Sequence, residues 1–133
     1  MIVALLMAGA IAAGRAEDGC ESSAPARATC DAGLATEAAA KRVASAYRAA
    51  LAVAKRADRN PKWTQPGFQS AVTYAASLRQ SQRAWEAFAD KQCDFEELEE
   101  RYGTQEGVIY ARCYGKLARE RILWLRGVAR TYR

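Results

Sequence analysis

The residues with the most obvious covalent chemistry are four cysteines, Cys20, Cys30, Cys93 and Cys113, in a 133-residue chain that has no histidine. Without histidine, the Ser-His-Asp and Cys-His nucleophile arrangements are excluded, and so is every histidine-based metal site. No C-x-x-C pair is present to favour zinc held by cysteine alone. What the four thiols do depends on where the chain resides. Ile2 to Ala13 is a single uncharged run, too short to span a bilayer, which needs about 20 apolar residues. It fits the apolar part of a secretory signal, and Gly14-Arg15-Ala16 sets small residues on either side of Arg15 for a cut after Ala16. No Lys or Arg precedes the run, so the amino terminus, or residues upstream of Met1, would supply the usual positive charge. Cys20 follows Glu17-Asp18-Gly19, which is not the Leu-Ala-Gly-type setting of a lipid-modified cysteine. The expectation is a signal peptide over 1–16 and a single exported domain over 17–133, periplasmic or secreted.

In an oxidising compartment an even set of cysteines is a disulfide framework. Four cysteines allow three pairings, and closeness along the chain favours Cys20–Cys30 and Cys93–Cys113. Closing loops of about 10 and about 20 residues stabilises by roughly 3 kcal/mol each in the loop-entropy picture. That is a large share of a net stability of about 5–15 kcal/mol. Paired cysteines leave no thiolate for catalysis. A glycosidase would want two opposed carboxylates in a cleft, whereas the acidic residues here crowd one stretch. The chain reads as a non-enzyme without a cofactor or metal.

These residues must be positioned by helices. Half of the residues are hydrophobic and 26% are charged, which is globular composition. A first helix is predicted from about Leu34 to Asp58, with Thr36 as N-cap and Ala40, Val43, Tyr47, Leu51 and Ala54 on its apolar face. Asn60-Pro61 ends it, and a breaker-rich linker runs to Gly67. A second is predicted from about Phe68 toward Leu98, with a seam of Phe68, Ala71, Ala75, Leu78, Gln82, Trp85 and Ala89. After the Gly103–Gly107 turn a third runs from about Val108 to Tyr132. Tyr110, Cys113, Leu117, Leu125 and Val128 face inward there, with Trp124 near the edge. No period-2 run bounded by turns appears, so the fold class is all-α: a small antiparallel bundle of about three main helices stapled by two disulfides. Cys93–Cys113 would close the tip of a helical hairpin. Cys20–Cys30 would tie the otherwise floppy N-terminal segment of the mature chain close to helix one.

Within this framework the order of motifs becomes specific. Gln82-Arg83-Ala84-Trp85, then Asp90 and Cys93, is similar to a Q-R-x-W…D…C signature. Cys113, followed by Leu117-Ala118-Arg119-Glu120-Arg121 and Leu125, is similar to a C…L-T-x-x-R-x-x-x-L ending, with Ala118 where Thr is usual. Cys30 and then Tyr47 to Leu51 match a cysteine followed by Y-x-x-x-L. From Cys20 to about Leu125 the chain thus resembles the LprI-type lysozyme inhibitor N-terminal domain family of small exported bacterial helical proteins. The resemblance implies binding and blocking of a peptidoglycan-cleaving lysozyme. It also marks Gln82, Arg83, Trp85, Asp90 and Arg121 as motif residues. The lipid-attachment cysteine of the lipoprotein that gave the family its name is missing here. The bland assignment for Gln82 and Trp85 is core, with Gln82 hydrogen-bonding across the bundle, and for Arg83 and Asp90 an ion pair to a neighbouring helix.

Charge offers a second clue. Overall there are 20 Lys and Arg against 15 Asp and Glu, and loss of residues 1–16 removes only Arg15. From Asp90 to Glu106 seven acidic residues face two basic ones, whereas from Arg112 to Arg133 seven basic residues face one acidic. Each run is ordinarily a solvated face. In a binding protein, Asp94, Glu96, Glu97, Glu99 and Glu100 would steer a cationic partner such as a basic lysozyme. The basic third helix would suit an anionic envelope surface. Export argues against nucleic acid, which a pI of about 9.2 would otherwise suggest. Trp63, in the linker, either caps one end of the bundle or anchors a partner. The alternative function is a non-catalytic envelope-binding or structural module without effect on lysozyme.

Overall fold

The computed structural model describes residues 20, 23–64, 72–98, 103, 105 and 107–133. The proposed signal segment lies outside them. Three helices follow one another, α1 (Ala24–Ala57), α2 (Tyr74–Glu97) and α3 (Val108–Thr131), with no strand among the described residues.

Fifteen of the 34 residues of α1 are alanine, the residue with the smallest helix penalty. This explains why the helix starts at Ala24 and not near Leu34. Pro25 falls in the first turn, where its fixed φ suits a helix and its missing N–H costs nothing. Gly33, a cost of about 1 kcal/mol in a helix interior, is carried by its alanine neighbours. Thr36 is therefore not an N-cap. Its hydroxyl donates back to the Ala32 carbonyl at 2.9 Å, inside the helix, and Ser23 occupies the N-cap position. Cys30 likewise lies within α1, so the Cys20–Cys30 bond ties Cys20 directly to that helix.

α2 begins at Tyr74; Phe68, expected near its start, lies outside the described residues. The Thr73 hydroxyl caps it by accepting from the Ala76 N–H at 3.1 Å. A second cap comes from α1. Asp58 accepts from the Tyr74 N–H at 2.7 Å and from the Ala75 N–H at 3.1 Å, one through each carboxylate oxygen. Its negative charge sits on the positive end of the α2 dipole. α3 starts after Gly107, whose φ of 80° is the left-handed conformation that glycine adopts without strain.

The chain runs up, down and up. Thr29 approaches Gly107 at one end, and Ala49 shares a groove with Ala129 further along, so α1 and α3 are parallel. Cys93–Cys113 joins the end of α2 to the start of α3. Ala39, Val43, Ala50, Ala54, Ala75, Leu78, Ala118 and Leu125 form the main core. Ala89, Cys93, Cys113 and Leu117 continue it to the disulfide end. The expected α2 seam is confirmed for Ala75, Leu78, Gln82 and Ala89, with Trp85 half-buried. In α3, Cys113, Leu117 and Leu125 are buried, and Trp124 stays 48% exposed at the edge. A core this rich in alanine buries little apolar area per residue, so the two crosslinks carry more of the stability. Among the described residues no helix is long and apolar enough to cross a membrane.

Candidate partner-binding surfaces

The motif residues assemble a ladder between antiparallel α2 and α3. In its middle Arg121, only 9% exposed, donates through Nε to Gln82 at 3.1 Å and through a terminal nitrogen to Ser81 at 3.0 Å. Gln82 in turn donates to Glu86 at 3.0 Å. The guanidinium lies 4.4 Å from the Trp124 ring centre and 5.7 Å from that of Trp85, within cation–π range. Burial disfavours its charged form, and nearby Glu86 acts in the opposite direction. Trp85 meets Tyr114 with ring centres 6.0 Å apart. One rung further on, the Tyr110 hydroxyl donates to Asp90 at 2.7 Å. Burial and then this bond push the Tyr110 hydroxyl well above the ordinary tyrosine range. Tyr114 moves the same way, first through burial and then through Glu86 and Asp90. Cys93–Cys113 closes the ladder.

Gln82, Trp85 and Arg121 are thus brought together, and Gln82 does bond across the bundle. The ion pair expected of Arg83 and Asp90 does not form: Asp90 is used by Tyr110, and exposed Arg83 is in no ion pair among the described residues. Arg83 and Asp90 each sit one residue past the seam and both are exposed, and of the two it is Asp90 that meets a side chain of α3, the Tyr110 hydroxyl. A motif whose members bond to each other holds helices in register and leaves few groups free for a partner.

The acidic stretch divides. Asp94 and Glu96 are exposed, with Asp94 near Lys91 at 3.9 Å and Glu96 accepting from Gln92 at 3.1 Å. Glu97 turns inward and accepts from the Gly107 N–H, fastening the end of α2 to the start of α3. Glu99 and Glu100 lie outside the described residues. Alongside Asp94 and Glu96 stand Phe88, Phe95 and Leu98, exposed by 53%, 71% and 46%. Sequence reasoning missed this row. Its signal was the seven-residue step from Phe88 to Phe95 and the three-residue step to Leu98, a second apolar line beside the seam. Large apolar side chains displayed together on a helix mark contact surfaces.

Trp63 occupies the opposite end. It is half-buried, edge-on to Tyr132 with ring centres 5.1 Å apart, and its carbonyl accepts from the Tyr74 hydroxyl at 3.4 Å. Tyr74 packs on Tyr132 as well, so three aromatic rings cap that end of the bundle. Among the described residues no cluster of acidic or cysteine side chains is arranged to hold a metal ion, and all four cysteines are in disulfides.

Three helices held by two disulfides, with a bonded motif between α2 and α3 and a charged and apolar row outside, define a small disulfide-stapled helical module. The chain matches the family Lysozyme inhibitor LprI over residues 20–125 and belongs to it. That span holds both disulfides and the whole ladder. No curated protein matches the chain, nor does any solved structure.

Proposed function

We propose that this protein is exported, loses residues 1–16, and binds and blocks a cationic lysozyme without chemistry of its own. The binding end is the disulfide-closed tip of α2. Family membership supports the class of partner. The observation that carries the choice of surface is the exposed row Phe88, Phe95 and Leu98 beside Asp94 and Glu96. Carboxylates there attract a basic protein over distance, and the aromatics supply the desolvated contact that holds it. Glu99 and Glu100 add to the same local charge, while Glu97 holds the tip closed. Trp63, at the aromatic-capped end, takes no part in this contact.

The test is kinetic, against a panel of c-, g- and i-type lysozymes. Asp94→Asn with Glu96→Gln is expected to slow association several-fold at low salt and to matter little at physiological salt, where the Debye length is about 8 Å. Phe88→Ala with Phe95→Ala is expected to accelerate dissociation at least about tenfold, the scale of a hot-spot pair. Wild-type rates in both variants would move the inhibitory surface elsewhere. Failure of the wild-type protein to slow any of the three classes would leave the envelope-binding module.

A further inference from the structure

The basic third helix is not absorbed by that reading. Arg112, Arg119 and Arg126 stand seven residues apart on α3. At a rise of about 1.5 Å per residue they form a row with about 10 Å between neighbours. Arg126 is one wall of a groove of about 310 Å³ between α1 and α3, and Arg42 is the opposite wall. Small side chains, Ser45, Ala46 and Ala49, lie between them on the α1 side, with Ile122 and Ala129 on α3. Fourteen residues beyond Arg42, on the same strip of α1, is Arg56. All five arginines are exposed, and none is in an ion pair among the described residues. No carboxylate lines the groove. Like charges gathered without counter-charge repel each other and cost the folded state, a cost that a bound anion removes.

We propose that the α1–α3 groove binds a linear phosphate polymer laid lengthwise between the arginine rows. Guanidinium forks match phosphate oxygens in pairs, and the repeated spacing suits a chain carrying charge after charge. A nucleic acid would also bring aromatic bases, and no aromatic side chain lines the groove to stack them. Lying on a bilayer surface requires a broad exposed apolar face. α3 turns its apolar face into the core and leaves Leu123 and Trp124 outside the groove. Arg126 and Ala129 lie past the span matched by the family, so the wall on α3 extends beyond the family's own pattern.

The probe is inorganic polyphosphate of defined length, titrated calorimetrically into the disulfide-intact protein at salt concentrations from about 50 to about 200 mM. Saturable binding that weakens steeply with salt is expected. Arg42→Gln with Arg126→Gln is expected to lower affinity about tenfold at the low-salt end and to shallow the salt dependence by the share of two contacts. Arg48→Gln with Lys55→Gln removes the same charge from α1 positions six and thirteen residues beyond Arg42, off the groove, and should leave affinity within about twofold. Equal losses in both double variants would reduce the effect to net charge and overturn the site. So would absence of polyphosphate binding. Tighter binding to single-stranded RNA, to poly-glutamate or to vesicles rich in phosphatidylglycerol would assign the groove to a different partner and overturn the proposal as well.

Discussion

Arg121 offers the sharpest test of how the bundle is held together. Its guanidinium makes two hydrogen bonds to α2, at 3.1 and 3.0 Å, while packed between two tryptophan rings. A hydrogen bond involving a charged group contributes about 1.5–3 kcal/mol net, and a partly desolvated cation–π contact about 1. Against this stands the cost of keeping a guanidinium at 9% exposure, which is offset only by hydrogen bonding and the nearby Glu86 carboxylate. Arg121→Ala removes the donors, strands the Gln82 carbonyl oxygen inside the bundle and opens a gap beneath Trp124. The expected loss is about 3 kcal/mol, read as a lower urea midpoint with little change in slope. In Tm this is about 12 °C, at about 4 °C per kcal/mol for a domain of this size. Arg121→Lys keeps the charge but not the planar fork and should lose most of the same stability. The decisive measurement is the double-mutant cycle of Arg121→Ala with Gln82→Ala, for which a coupling of about 1–2 kcal/mol is expected. A coupling below about 0.3 kcal/mol would refute the ladder as the organising contact and leave only local packing.

Replacing Cys93 and Cys113 together by serine opens a loop of 20 residues and should lower the unfolding free energy by about 3 kcal/mol. Faster amide exchange is expected to be confined to the adjoining ends of α2 and α3. Tyr110→Phe gives a pH signature. Burial and the Asp90 bond raise the Tyr110 hydroxyl above its ordinary value, so the folded state holds this proton more tightly than the unfolded one. The resulting stability is fully present below about pH 10 and falls as pH rises beyond it. Wild type should therefore exceed Tyr110→Phe by about 1 kcal/mol at pH 8, with the gap closing above about pH 11. A gap that stays constant over that range would show that the phenolic proton is not involved.

Much of this architecture was legible because its causes are local. The disulfides followed from even cysteines and short separations, and α2 and α3 from a periodic seam. The start of α1 was misplaced because Pro25 and Gly33 carry breaker signals that depend on position: a first-turn proline favours a helix, and one glycine among alanines only weakens it. The bond from Gln82 across the bundle was foreseeable in kind, but its partner Arg121 is 39 residues away. Which α3 residue meets Gln82 depends on how far α3 is rotated against α2, which no single helix encodes. For the same reason Arg83 and Asp90, which share one exposed face of α2, differ in partner: Asp90 meets the Tyr110 hydroxyl of α3, and Arg83 is in no ion pair among the described residues. Phe88 and Phe95 were overlooked because an apolar pair one step off a seam is indistinguishable from core until the packing is known.

The Asp58 carboxylate has a consequence for how the chain tolerates change. By holding the first two amides of α2 from the C-terminal end of α1, it joins the two helices directly at their ends. Lengthening the connection adds closure entropy that grows by only about 0.6 kcal/mol per doubling of loop length. Insertions, tags or whole binding peptides placed between Thr64 and Val72 would leave the register of α1 and α2 to Asp58. The segment is thus a natural point for the chain to acquire new sequence while the ladder and both crosslinks remain unaltered.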